Sequence, residues 1–179
     1  MAKHVFVSGL SVSGIKKMQK ELLKYKTDYL PRKCRELAER LIAIGVTVSQ
    51  AKIDESPLGK YVSLSTDISS DVMGTTAILV AVGENKESED FEPFNTLLAI
   101  EFGAGIHHNS TDNPKADDLG FGVGTFPGQI HAFEDGWYYW DDLDEKWKYT
   151  HGVKATMPMY EASLEIINSV VTVAREVFK

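Results

Sequence analysis

Four of the five histidines fall between 107 and 151, and histidine is the side chain here best suited to hold a metal ion. His107, His108, His131 and His151, with Glu101 or an aspartate, could ligate zinc and serve a small metal-dependent hydrolase. Their spacing matches no ligand pattern. There is no His-Glu-x-x-His, and adjacent side chains at 107 and 108 point apart on most backbones. A surface loop with incidental histidines is the expectation, with no metal site.

Other chemistry is weaker still. Gly120-x-Gly122-x-Gly124 lacks the Lys-Ser/Thr of a phosphate loop and the strand–helix setting of a dinucleotide fold. No Gly-x-Ser-x-Gly elbow is present. Cys34, the single cysteine, falls on an apolar helical stripe and is expected in the core. Asp117–Asp118 and Asp141–Asp142 sit in polar turns, where carboxylates are normally solvated. Trp137, Tyr138, Tyr139, Trp140 and Trp147 suit a hairpin that forms a core or interface patch. No catalytic residue and no cofactor is therefore expected, and the chain is expected not to be an enzyme.

The elements that would position these residues follow from periodicity. Val5–Leu10 predicts a short strand, with Ser11 and Ser13 as candidate helix caps. Ile15, Met18, Leu22 and Tyr25 share one face of a helix of about 13 residues. Thr27–Asp28 is expected to end it and cap the next, with Pro31 in that helix's first turn. Leu30, Cys34, Leu37, Leu41, Ile44 and Val48 then predict a long amphipathic helix ending near Ala51.

Asp54–Lys60 predicts a loop, and Tyr61–Asp71 an exposed strand or extended arm. Thr76–Val82 is the clearest strand, and Glu84–Glu92 an acidic turn. Phe94–Phe102 suits a short helix running into Glu101, followed by a glycine-rich loop over 103–128. His131–Trp140 and Lys146–Tyr149 predict a hairpin, Thr150–Pro158 an ordered loop, and Met159–Phe178 a final helix. The sum is one α+β domain over 1–179: N-terminal amphipathic helices and a C-terminal helix on a small, mostly antiparallel sheet. Long mobile loops are expected near 54–73 and 107–128, at Tyr61–Met73 and His107–Gly128.

Composition bounds the function classes. With 43% hydrophobic and 25% charged residues the chain is ordinary globular protein, not collagen, a coiled-coil rod or a disordered segment. One cysteine excludes a disulfide scaffold. No run approaches the roughly 20 apolar residues of a membrane helix, and no signal-peptide segment opens the chain, so no membrane partner is expected. The formal charge of -7 is divided unevenly. Residues 1–52 carry 11 Lys/Arg against 4 Asp/Glu, whereas residues 53–150 carry 5 against 19. A basic end and an acidic middle are either two solvated faces or the ends of a head-to-tail stack, whose self-association is expected to weaken as salt rises. The basic segment has no recognisable nucleic-acid motif.

Four segments, in order, resemble the tail-component or tail-completion family of long-tailed, siphovirus-type bacteriophages and prophages. They are Val5-Phe6-Val7-Ser8-Gly9-Leu10 with the helix Ser13–Leu23; the long helix ending Val48-Ser49-Gln50-Ala51-Lys52 with Ser56-Pro57-Leu58-Gly59; Ala99-Ile100-Glu101-Phe102-Gly103-Ala104-Gly105-Ile106; and Thr150-His151-Gly152-Val153 with Met157-Pro158-Met159 and Ala162. The third is similar to the family's Glu-Phe-Gly-Thr-Gly, with Ala104 in place of threonine.

The resemblance implies a structural virion protein of the head–tail junction, a connector component assembled in the host cytoplasm. It implies a homo-oligomeric ring, hexameric in the family, beside head-completion, connector, tail-terminator and tail-tube proteins. Phage DNA would pass through the lumen without specific binding, and acidic residues of 53–150 could line that lumen. Glu101 could cap a turn or pair with a neighbour. The alternatives are the histidine-dependent metal hydrolase and a monomeric binding module.

Overall fold

The computed structural model describes residues 11–71, 74–86, 94–104, 113–116, 118, 137–141 and 144–179. The expected strand Val5–Leu10 lies outside them, as does most of the 107–128 segment.

Helix α1 spans Val12–Lys24, and Ser11 caps it by accepting a hydrogen bond from Gly14 N at 3.1 Å. The helix does not end at Thr27–Asp28. Tyr25–Tyr29 forms a π-helical turn that runs directly into α2, Leu30–Asp54, with helical backbone at both joins. Two features of the sequence produce this. From Tyr25 to Leu30 the apolar stripe steps by five residues rather than three or four, the step of an i→i+5 turn. Leu30 N donates to Tyr25 O accordingly. Pro31 has no N–H to offer Thr27, and its ring crowds that carbonyl in a regular α-helix; the wider turn relieves the crowding. Thr27 turns its hydroxyl back to Leu23 O at 2.9 Å instead of capping a new helix.

Only the C-terminal half of α2 is covered. Ile42, Gly45, Ser49 and Ile53 are buried, whereas α1 buries nothing. The basic residues of α2's exposed face pair along the helix, Lys33 with Glu36, Arg35 with Glu39 and Arg40 with Glu36.

The expected extended loop near 54–73 is a tight turn followed by a strand. Gly59–Tyr61 forms a 3-10 turn, and β1, Val62–Ser70, pairs antiparallel with β2, Thr75–Gly83. The period-two burial of β2 turns Ala77, Leu79 and Ala81 inward and Ile78, Val80 and Val82 outward. Short strands β3, Asn85–Lys86, and β4, Phe94–Asn95, lead into α3, Thr96–Phe102. Strands β5, Trp137–Asp141, and β6, Lys146–Thr150, form the aromatic hairpin. Helix α4, Pro158–Val177, ends the fold. All described strand pairs are antiparallel, so the architecture is the expected α+β.

Helix α2 is the spine. The inner face of the β1–β2 hairpin and α4 both pack on it. At Gly45 the three elements meet: a side chain there would stand 2.7 Å from Ile166 Cδ1 and 3.3 Å from Leu79 Cδ2. Ser49, fully buried, donates to Pro158 O at 3.2 Å, and Arg40 reaches Glu176 at 3.4 Å. Helix α4 therefore runs antiparallel to α2 over its C-terminal half, and α1 continues past the end of α4.

Candidate functional site

Three of the four resembling segments converge on one apolar cluster. Leu58 and Tyr61 from the turn after α2, and Ala99, Ile100 and Ala104 from α3 and its exit, pack together with Val62 and Val153. The backbone closes this junction. Ala104 and Val153 exchange both N–H···O bonds, at 2.9 and 2.7 Å. Gly59 sits so close to α2 that a Cβ would stand 2.2 Å from Ile53 O. Gly103 takes φ 83°, open to glycine at little cost, which lets the chain leave α3 toward Val153. Asn95 caps α3 by accepting from Leu97 N and Leu98 N at 3.0 and 3.2 Å, and Gly83 makes room for that helix start.

Glu101 is buried at the centre of this junction, 7% exposed. Its Oε1 accepts from Tyr160 N at 3.0 Å and Asn113 Nδ2 at 2.9 Å, and its Oε2 from Met159 N at 2.9 Å. Residues Pro158, Met159 and Tyr160 are the first turn of α4, whose N–H groups have no intrahelical acceptor. Met157, at the capping position, is left-handed (φ 53°) with a side chain that cannot cap. Glu101 supplies the cap from another helix, and its charge faces the positive end of the α4 dipole. Burial nevertheless pushes its carboxyl above the ordinary glutamate range; the backbone bonds from Met159 and Tyr160 and the Asn113 bond pull it back only in part, and Glu161 adds repulsion.

Asp141 is a second buried carboxylate, 1% exposed, and not the solvated turn residue its sequence suggests. Its Oδ2 accepts from Lys60 Nζ at 2.6 Å and Lys148 Nζ at 2.8 Å. Its Oδ1 accepts from Tyr61 Oη at 3.1 Å and Asp144 N at 3.2 Å. These four donors match the acceptor capacity of one carboxylate. The bond to Asp141, and then that to Asp144, hold Lys148 above the ordinary lysine range, and Asp141 does the same for Lys60. Lys86 lies 3.7 Å from the Tyr61 ring centroid, a cation–π contact with the same tyrosine. The group fastens the β5–β6 hairpin to the turn after α2.

The histidines are not brought together among the described residues. His151 meets Tyr149 edge-on with ring centroids 5.1 Å apart, while His107, His108 and His131 lie outside those residues. No set of three metal-ligating side chains occurs among the described residues. Gly120, Gly122, Gly124, Asp117 and Asp142 also lie outside them, and Asp118 is exposed. Cys34 is half-buried on the uncovered half of α2 rather than in the core.

In the aromatic hairpin Tyr138 stands opposite Tyr149 with centroids 4.9 Å apart, and Tyr138 and Trp147 face solvent. Both buried carboxylates thus hold elements in place, and exposed apolar side chains line the outward face of β2 and the outer face of α4. Compared with family models, curated proteins and solved structures, the chain matches none of them.

Proposed function

We propose that the protein is a structural component of a bacteriophage virion, placed at the head–tail junction as a homo-oligomeric ring through which DNA passes. The β1–β2 hairpin carries this proposal. Strand β2, Thr75–Gly83, holds no charged residue and no proline, and among the described residues no other strand pairs with its outer edge, where Asn95 Nδ2 meets Gly83 O at the end. Ile78, Val80 and Val82 are exposed on its outward face. Natural edge strands are blunted by charge, proline or bulges; a long uncharged one is a template for pairing with another chain. A ring subunit needs such a surface on each copy, and head-to-tail repetition closes the ring.

The four resembling segments support the same role, as do the basic N-terminal helices and acidic middle that meet in a head-to-tail contact. An acidic lumen built from residues of 53–150 repels the DNA backbone and lets it slide. Connector and tail-tube proteins are the neighbours on either side. Electron microscopy of the purified protein, alone and with a bacteriophage connector protein, tests the proposal. Rings of about six copies that dissociate on Val80→Lys are expected. A protein that remains free of rings in both samples refutes the role.

A further inference from the structure

Helix α4 carries two apolar stripes, and the fold uses one. Ala162, Val173 and Val177 are buried, on the side that packs on α2. The second stripe, Tyr160, Leu164, Ile167, Val171, Ala174 and Phe178, repeats at steps of four and three residues, the spacing of a coiled-coil seam. Four of its six members are open to solvent, Leu164 at 37%, Ile167 at 66%, Val171 at 57% and Phe178 at 39%, while Tyr160 and Ala174 are half-buried. Solvent does not require such a pattern, and a single row of this length is not scattered surface residues.

The stripe is self-complementary when reversed. Turned about the point between Ile167 and Val171, it lays Ile167 on Val171, Leu164 on Ala174 and Tyr160 on Phe178. The flank away from α2 reverses with it. Glu161 at one end comes two residues from level with Arg175 at the other, about 3 Å along the helix and within reach of its long side chain, and the two Asn168 side chains flank the axis. Neither Glu161 nor Arg175 has an ion-pair partner among the described residues. Reversal symmetry of both the apolar row and its charges is what a two-fold contact between identical surfaces demands, because each pair is then made twice.

We infer that α4 docks antiparallel against α4 of a second copy of this chain, about a two-fold axis midway between Ile167 and Val171. Such a contact closes at two copies and leaves both edges of the β1–β2 hairpin open. It therefore does not depend on the virion role, and it describes the subunit before ring contacts form.

Sedimentation equilibrium of the full chain reads the dimer directly. Ile167→Glu and Val171→Glu, at positions already exposed, should each raise the dimer dissociation constant at least tenfold. Glu161→Arg should weaken the dimer, and Glu161→Arg combined with Arg175→Glu should restore it, which a misfolded variant cannot do. In a Cys34→Ser background, mixing Ile167→Cys chains with Val171→Cys chains should give an interchain disulfide between the two. A wild-type monomer at every concentration, or a dimer that survives Ile167→Glu unchanged, overturns the inference. Rings that assemble while the α4 face shows no contact overturn it too and leave the virion role standing. A dimer with these properties that never forms rings does the reverse.

Discussion

Replacing Glu101 by alanine should cost about 3–5 kcal/mol of folding stability. The change strips the acceptor from two N–H groups of the first turn of α4 and from the Asn113 amide. Hydrogen bonds to a charged partner contribute about 1.5–3 kcal/mol each, and loss of a helix cap alone about 1 kcal/mol; partial access of water to the α4 terminus keeps the total below the sum. Glu101→Gln separates shape from charge. Its amide oxygen can still serve Tyr160 N and Asn113, but its NH2 then confronts Met159 N–H. One bond is lost, for about 1–3 kcal/mol.

The pH dependence has a definite sign. Because burial raises the Glu101 carboxyl in the folded state, the native protein holds this proton more tightly than the unfolded chain. Stability contributed by the protonated form is complete below the ordinary glutamate range, about pH 4–5. It declines as pH rises through that range to the folded value, and is level above. Wild type should therefore lose ground to Glu101→Gln as pH rises across this window, in urea denaturation followed by circular dichroism. If the gap widened in favour of wild type instead, the helix terminus rather than desolvation would govern the carboxyl. If Gln cost as much as Ala, the capping geometry would be wrong.

Three further outcomes follow from the same geometry. Asp141→Ala should cost about 2–4 kcal/mol by thermal or urea denaturation, since it frees the β5–β6 hairpin from Lys60 and Tyr61 and leaves a buried tyrosine hydroxyl without its acceptor; a change under 0.5 kcal/mol would show that the tie contributes nothing. Gly59→Ala should cost about 2 kcal/mol or more, because the clash is with the backbone oxygen of Ile53. Gly45→Ala should lie within about 1 kcal/mol of wild type, its gain in helix propensity offsetting a contact with the movable end of Ile166. Equal costs at the two glycines would refute the distinction. Self-association should weaken between low and high salt, and a sedimentation profile unchanged across that range would remove charge asymmetry from the assembly.

Much of this fold was legible because periodicity is a local property. The 3.6-residue spacing from Leu30 to Val48, the apolar run Thr76–Val82 between Gly74 and Gly83 and the proline leading into the last helix each point to the element found there. The π turn was misjudged for a reason also visible locally: a five-residue step looks like a break when only steps of three and four are admitted. The two buried carboxylates divide differently. Glu101 stands out as a lone acid among Leu97, Leu98, Ala99, Ile100 and Phe102, so a partnered role could be expected of it. Asp141 sits in Asp-Asp-Leu-Asp-Glu, where a solvated turn is the natural inference; its partner Lys60 lies 81 residues away and leaves no local signal. The second stripe of α4 was legible in spacing, but which of two apolar faces a helix buries is decided by its neighbours.

The unbroken run of helix from residue 12 to residue 54 has a hydrodynamic consequence. At about 1.5 Å per residue its contour is about 64 Å. A compact globule of 179 residues has a radius of gyration of about 16 Å, so this one helix is longer than the globule is wide. With α4 covering only its C-terminal half, the remainder acts as a rigid projection that raises friction without adding mass. The free subunit should diffuse like a larger particle, and a gel-filtration volume calibrated on spheres would report a dimer where a monomer is present. Small-angle scattering should show a maximum dimension for the monomer larger than that of a compact globule of the same length. Any count of subunits in this protein has to rest on mass rather than on size.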